Sequence, residues 1–190
     1  MSSKFAATLV AGFLMLAGNL AHAVDIAGVH VDERAQVGDS KLELNGAGLR
    51  KFIFFKVYVA ALYTVKKTAS ASEVIDSSQP RRIVMVMKRD LDADELINAL
   101  REGLEANNSA AELATLKPGI DQFEGIMRNV GDAKEGDNIV LDFTADTTSV
   151  GFNGKPYGSV SGAAFGRALL KVWLGDKPVQ SDLKQAMLGG

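Results

Sequence analysis

The chain has 190 residues, 47% hydrophobic and 23% charged, with a formal net charge of −2 and no cysteine. Those values describe an ordinary globular protein and exclude disulfides, thiolate nucleophiles and zinc–thiolate centres. Lysines and arginines are dispersed among acids and never denser than adjacent pairs such as Arg81-Arg82, so the basic face that nucleic-acid binding requires is missing.

The first 23 residues read as a secretory signal peptide. Lys4 supplies a positive start, Ala6–Leu16 a short apolar run, and Ala21-His22-Ala23 a small-x-small cleavage site. The run is interrupted by Asn19 and is shorter than the roughly 17–25 residues that span a bilayer. Export to the periplasm, with cleavage near Ala23, is the expectation, and no later segment is long enough to be transmembrane. Val24–Gly190 then forms one domain, with no linker and no internal repeat.

Val24–Val37 and Lys41–Leu44, separated by Gly38-Asp39-Ser40, predict a β-hairpin. Asn45–Gly48 reads as a glycine-rich bend, followed by an extended run from Ile53 to Val65. Lys66–Pro80 is polar, with one helical turn at Glu73–Asp76. The apolar core of Arg82–Lys88 predicts a central strand. Asp92 with Glu95 caps a helix carrying Leu96, Ala99, Leu100 and Leu104. Ser109 with Glu112 caps a short helix that stops before Pro118, and a third helix runs from Pro118 to the Gly131 region. Ile139–Phe143 and Val150–Phe152 alternate as strands, and Asn153-Gly154 is a hairpin turn leading into Tyr157. Phe165, Ala168, Leu169, Val172 and Trp173 form a helical stripe ended by Gly175, and Pro178 opens a last helix with Val179, Leu183 and Met187 inward. The order predicts an α+β fold, a mostly antiparallel sheet with helices packed on one side.

Few residues are equipped for chemistry. His30 is the lone histidine after the leader and no Gly-x-Ser-x-Gly occurs, which removes nucleophilic triads. Asp90, Asp92, Asp94 and Glu95 lack the glycine and closing glutamate of a calcium loop and read as the acidic start of a helix. Gly46-Ala47-Gly48 is too short for a phosphate loop. The Trp173 stripe reads as core, and Tyr157 reads equally well as a hairpin residue or a site residue. There remains Arg50, permanently charged beside a dense apolar run, with Tyr58 and Tyr63 on the next strand. Residues 58 and 63 fall on opposite faces, so only one of the two tyrosines can share a pocket with Arg50. From spacing alone, a surface ion pair and a pocket binding a carboxylate through arginine and a tyrosine hydroxyl stand level.

The segment Asn45-Gly-Ala-Gly-Leu-Arg50, followed by Phe55-Lys-Val-Tyr-Val-Ala-Ala-Leu-Tyr63, resembles the chalcone isomerase family, and Phe165–Val179 resembles its closing helix pair. The resemblance covers most of Val24–Leu188 and implies an antiparallel sheet with helices on one side around a ligand cleft. Catalytic members cyclise a chalcone to a flavanone; their arginine steadies the attacking phenolate, helped by a threonine on the next strand and a tyrosine. Arg50 matches that arginine, but Tyr58 stands at the threonine position. The first helix has no tyrosine and offers only Asn98, and the late threonine region falls near Tyr157–Ser161 without a match. Pairing of the arginine with Lys56-Val57-Tyr58 resembles instead the non-catalytic, fatty-acid-binding branch. The resemblance thus implies no cofactor and no metal, and a small apolar carboxylate such as a fatty acid held by Arg50 and Tyr58, with Tyr157 a third ligand-facing candidate. Phe52, Phe54, Leu96, Leu100 and Phe165 are the expected walls. An isomerase or intramolecular lyase in which Arg50 stabilises an oxyanion is the alternative.

Overall fold

Along Tyr58–Tyr63 and Ile83–Met87, residues alternate between two apolar environments, and this alternation organises the protein. The computed structural model describes residues 23–190. The expected leader lies, up to residue 22, outside the described residues.

Seven strands follow one another in space as they do in sequence: β3 (Arg34–Val37), β4 (Ser40–Phe52), β5 (Phe55–Thr64), β6 (Arg81–Met87), β7 (Asn138–Phe143), β8 (Thr147–Phe152) and β9 (Lys155–Ser161), every neighbour antiparallel. Leu62, Ile83, Leu141 and Val150 point to one face, where five helices supply the rest of the main core. These are α1 (Ala71–Asp76), α2 (Ala93–Asn107), α3 (Ala110–Val130), α4 (Ala163–Leu174) and α5 (Ser181–Met187). The opposite face carries Val59, Ala61 and Tyr63 and is partly covered by a separate ribbon, β1 (Ala23–Ile26) with β2 (Val29–Asp32). The α+β antiparallel architecture with helices on one side is therefore what the chain adopts, with β6 at the centre of the sheet as its apolar run predicts.

Local expectations fared unevenly. The single early hairpin is two, one turning at Ala27-Gly28 and one at Gly38-Asp39. Asp92–Glu95 and Ser109–Glu112 form complete capping boxes, so these acids are occupied by backbone N–H groups. Two helices expected around Pro118 are one, α3, with Pro118 inside it. Proline removes one backbone donor there, but burial of Phe123, Ile126 and Met127 further along keeps the helix continuous. Glu124 on α3 is buried and accepts from Arg101 on α2 and from Arg128, which pins α2 to α3. The last helix starts at Ser181, three residues after Pro178.

The largest correction concerns Asn45–Gly48. These residues are no bend: β4 runs straight through them, with only a bulge between Leu44 and Gly46. Their smallness serves α5. A Cβ on Gly46 would sit 2.1 Å from the carbonyl oxygen of Ala186, and one on Gly48 would sit 2.7 Å from the Ala186 Cβ. Helix α5 therefore lies directly on the strand backbone, and the buried Asn45 side chain ties the two together by donating to the Met187 carbonyl at 2.8 Å. The actual turn is Ile53–Phe54, where β4 passes into β5.

Candidate functional site

Arg50 and Tyr58 are brought together by sheet register. They are direct partners across β4 and β5, and antiparallel partners carry their side chains on the same face. On β5 that face also carries Ala60 and Leu62 towards the helices, while Tyr63 points the other way and donates to the Asp32 carbonyl at 2.9 Å. Period-two alternation thus assigns Tyr58 to the helix side and Tyr63 to the ribbon side, as the spacing predicted.

The Arg50 guanidinium makes no ion pair among the described residues. It donates to the Lys51 carbonyl and, at 3.3 Å, to the side-chain oxygen of Gln180. Gln180 does more than meet the arginine. Its oxygen accepts the Lys51 backbone N–H at 2.8 Å, and its Nε2 donates to the Leu49 carbonyl at 3.1 Å. Strand β3 pairs with residues 40–43 and the Glu33 carbonyl accepts the Leu44 N–H, so among the described residues no strand pairs with that edge of β4 beyond Leu44. The Gln180 carboxamide covers part of that edge as a peptide group would. Arg50 is consequently held in place at the joint between β4 and the segment that leads into α5.

Tyr58 accepts a hydrogen bond from Trp173 Nε1 on α4 at 3.0 Å. A phenol both accepts and donates, so this bond satisfies the indole and leaves the Tyr58 proton free for another acceptor. Burial pushes the Tyr58 phenol above its ordinary value, against the opposing pulls of the Trp173 bond and the Arg50 charge. At neutral pH the pair is therefore a neutral donor beside a cation, a combination complementary to a single anion.

From Tyr58 an apolar cavity of about 70 Å³ extends between sheet and helices. Met85 on β6 with Ile139 and Leu141 on β7 form the sheet wall. Leu96, Ala99 and Leu100 on α2, Phe123 and Met127 on α3, Val172 and Trp173 on α4, and Val179 complete it. Apart from the Tyr58 hydroxyl and the Trp173 indole N–H, which bond each other, every lining side chain is a hydrocarbon or a thioether. Arg50 is not itself among the lining residues; it adjoins the cavity through its cross-strand partner Tyr58 and through Gln180, the neighbour of the lining residue Val179.

Of the expected walls, Leu96 and Leu100 line the cavity and Phe165 is buried against Phe123 at 5.5 Å between rings without lining it. Phe52 and Phe54 are not walls at all. Phe52 ends β4 and Phe54 lies in the β4–β5 turn, and they are 58% and 94% exposed. The reason is the misplaced bend: with β4 continuing past Gly48, the aromatic run is carried out to the hairpin tip. Tyr157 sits on β9, the edge strand opposite β3, edge-on to Phe152 at 5.9 Å, and is not among the lining residues. Asn98 is exposed and accepts from Arg101 at 3.3 Å.

Two residues that sequence reasoning passed over complete the site. Trp173 was assigned to core alone, although a buried indole N–H demands an acceptor and so hinted at a polar neighbour. Gln180 carried no signal, because its role exists only where the chain returns to a strand 130 residues earlier. Among the described residues no group of three or more His, Cys, Asp or Glu is placed to hold a metal ion, and no helix is long and apolar enough to cross a membrane.

No curated protein matches the chain. Among solved structures, the Arabidopsis thaliana fatty-acid binding protein AtFAP1 is similar over 88% of this chain and 96% of its own, with a TM-score of 0.68 and 17% identity, a likeness of fold. A family model described as chalcone isomerase-like matches residues 23–189, and with the sheet, the helix layer and the Arg50–Tyr58 pair in view the chain belongs to the chalcone isomerase-like family.

Proposed function

We infer that the protein is a non-catalytic carrier or receptor for an apolar carboxylate such as a fatty acid. The observation that carries this reading is a phenol with a free proton lining an otherwise apolar cavity, its cross-strand neighbour a half-buried guanidinium with no anionic partner among the described residues. A half-buried cation gains most from an anion that also brings hydrocarbon. Each methylene that enters the cavity contributes on the order of 0.8 kcal/mol, and the Arg50–Tyr58 pair sets the orientation. About 70 Å³ holds the first part of a chain. The remainder would extend along α2, where Leu96 and Leu100 are only half-buried and Ala99 is exposed. The shared fold with a protein described as fatty-acid binding supports the reading. Turnover has less support: Tyr58 replaces the threonine of catalytic members, and the cavity offers no general base. The leader pattern of residues 1–23 supports export to the periplasm, which fractionation and N-terminal sequencing of the processed chain would test.

The test compares palmitate with its methyl ester on wild type and Arg50→Gln. A charge-assisted hydrogen bond contributes about 1.5–3 kcal/mol, so the wild type should prefer the free acid by about tenfold to a hundredfold. Arg50→Gln should erase the preference while still binding the ester. Equal binding of acid and ester by the wild type, or turnover of a chalcone abolished by Arg50→Gln, would overturn the proposal.

A further inference from the structure

Six large hydrophobic residues are exposed among the described residues, and four of them are consecutive: Phe52 at 58%, Ile53 at 71%, Phe54 at 94% and Phe55 at 62%. Scattered exposed apolar residues need no explanation, but a contiguous cluster does. This cluster is the whole tip of the β4–β5 hairpin. Nothing in the fold requires these residues there, because none of the four joins either core. The turn itself is an unfavourable place for one of them. Ile53 has φ 55°, a conformation that glycine or asparagine adopts at little cost and a β-branched residue resists. Strain accepted at a position without internal packing suggests that the side chain is used outside the molecule.

The charges around the tip indicate what it meets. Lys51 and Lys56 are direct cross-strand partners at its base, both exposed. Like charges placed opposite each other repel, and an anionic surface at that level would turn the repulsion into attraction. Two residues separate this pair from the apex, a rise of about 7 Å at strand spacing. Interfacial segments bury their apolar side about 5–10 Å below the headgroups, so the lysines would lie at headgroup level when the tip is immersed. A protein partner suits the shape less well. With aromatic side chains of roughly 150–250 Å², the four residues offer on the order of 500 Å², on a convex protrusion, whereas a stable protein interface takes roughly 800 Å² from each side.

We propose that the Phe52–Phe55 tip inserts into the interface of an anionic lipid bilayer, with Lys51 and Lys56 bound to its headgroups. The docking stands on the tip alone. Its purpose rests on the fatty-acid reading: β4 places Arg50 two residues from Phe52 and β5 places Tyr58 three residues from Phe55, so a docked tip brings the carboxylate anchor next to the membrane surface from which an acyl ligand is taken or to which it is delivered.

The experiment uses the chain from Val24 onward, which contains nearly all of the described fold, and vesicles of phosphatidylglycerol with phosphatidylethanolamine, against vesicles of phosphatidylcholine. The wild type should co-sediment with the anionic vesicles, more weakly as salt rises. The double variant Phe52→Ser/Phe54→Ser should lose partitioning by about tenfold or more, and Lys51→Gln/Lys56→Gln should lose the preference for anionic over neutral vesicles. Both should keep the wild-type melting transition and palmitate affinity in solution. Failure of the wild type to bind either vesicle, or unchanged partitioning of the serine variant, would overturn the proposal. So would a wild-type dimer that the serine variant converts to monomer without loss of vesicle binding, which assigns the tip to a protein contact. Vesicle binding that survives while wild type binds no palmitate leaves the docking intact and removes the fatty-acid reading.

Discussion

Replacement of Gly46 by alanine separates two accounts of the Asn45–Gly48 segment, because they predict effects of opposite sign. In a solvent-exposed bend, an alanine compatible with the backbone stabilises by about 0.4–1 kcal/mol through the unfolded chain. In the structure, the new Cβ would lie 2.1 Å from the Ala186 carbonyl oxygen and 2.9 Å from the Gly189 nitrogen. Carbon and carbonyl oxygen tolerate about 3.3 Å at closest, so α5 must move by about 1 Å or more. That helix is held by Leu183 and Met187, 1% and 0% exposed, and by the Asn45–Met187 hydrogen bond. Full burial of each side chain is worth about 1.5–3 kcal/mol, and the hydrogen bond about 1 kcal/mol. Partial loss of these contacts gives a destabilisation of about 2–4 kcal/mol, or about 5–15 °C in a domain of this size. Urea and thermal unfolding of Gly46→Ala measure it directly. Gly48→Ala, whose Cβ meets the Ala186 methyl group at 2.7 Å, should cost less. A Gly46→Ala protein that melts at or above wild type would refute docking of α5 on the strand backbone, and with it the account of how Gln180 is delivered to Arg50.

Three further outcomes are expected. Tyr58→Phe removes the acceptor of Trp173 Nε1; an orphaned buried donor costs about 1–3 kcal/mol, so stability and palmitate affinity should fall together, whereas Tyr157→Phe, away from the cavity, should leave palmitate affinity unchanged in the same titration. Tyr63 is pushed up to about 12 by burial, then by the nearby Asp32 charge, with Arg82 pulling the other way. Its folded value lies above its unfolded one near 10, so its stabilisation is complete below about pH 10 and is lost as pH rises towards 12, about 2–3 kcal/mol in all. Urea melts from pH 9 to about 12 should show that decline in wild type and a flatter one in Tyr63→Phe; a native-state tyrosinate signal fully developed at pH 10 would contradict it. Pro118→Ala restores a backbone donor at an exposed position inside α3 and should raise stability by about 1–3 kcal/mol, and a loss of stability instead would show that the proline shapes the helix for packing.

What the amino-acid order determined by itself was everything set by short-range periodicity and capping. Alternation on β5 assigned Tyr58 and Tyr63 to opposite faces, the doubly apolar Ile83–Met87 run placed β6 centrally, and Asp92–Glu95 and Ser109–Glu112 located two helix starts to the residue. Arg50 and Tyr58 stood out as candidates because a cation in an apolar stretch needs an explanation that its neighbours in sequence do not provide. Tertiary structure decided what each of these residues meets. Gly46 reads as a turn until a helix 140 residues later is laid against it; Pro118 reads as a stop until the packing of Phe123 and Met127 outweighs one missing hydrogen bond; and Phe52 and Phe54 read as pocket walls until β4 is extended to carry them into solvent. Trp173 and Gln180, which hold Tyr58 and Arg50 from behind, come from the far end of the chain. Backbone propensity acts over a few residues and is written locally, whereas close approach, hydrogen-bond satisfaction and the shape of a cavity depend on partners whose identity only folding supplies.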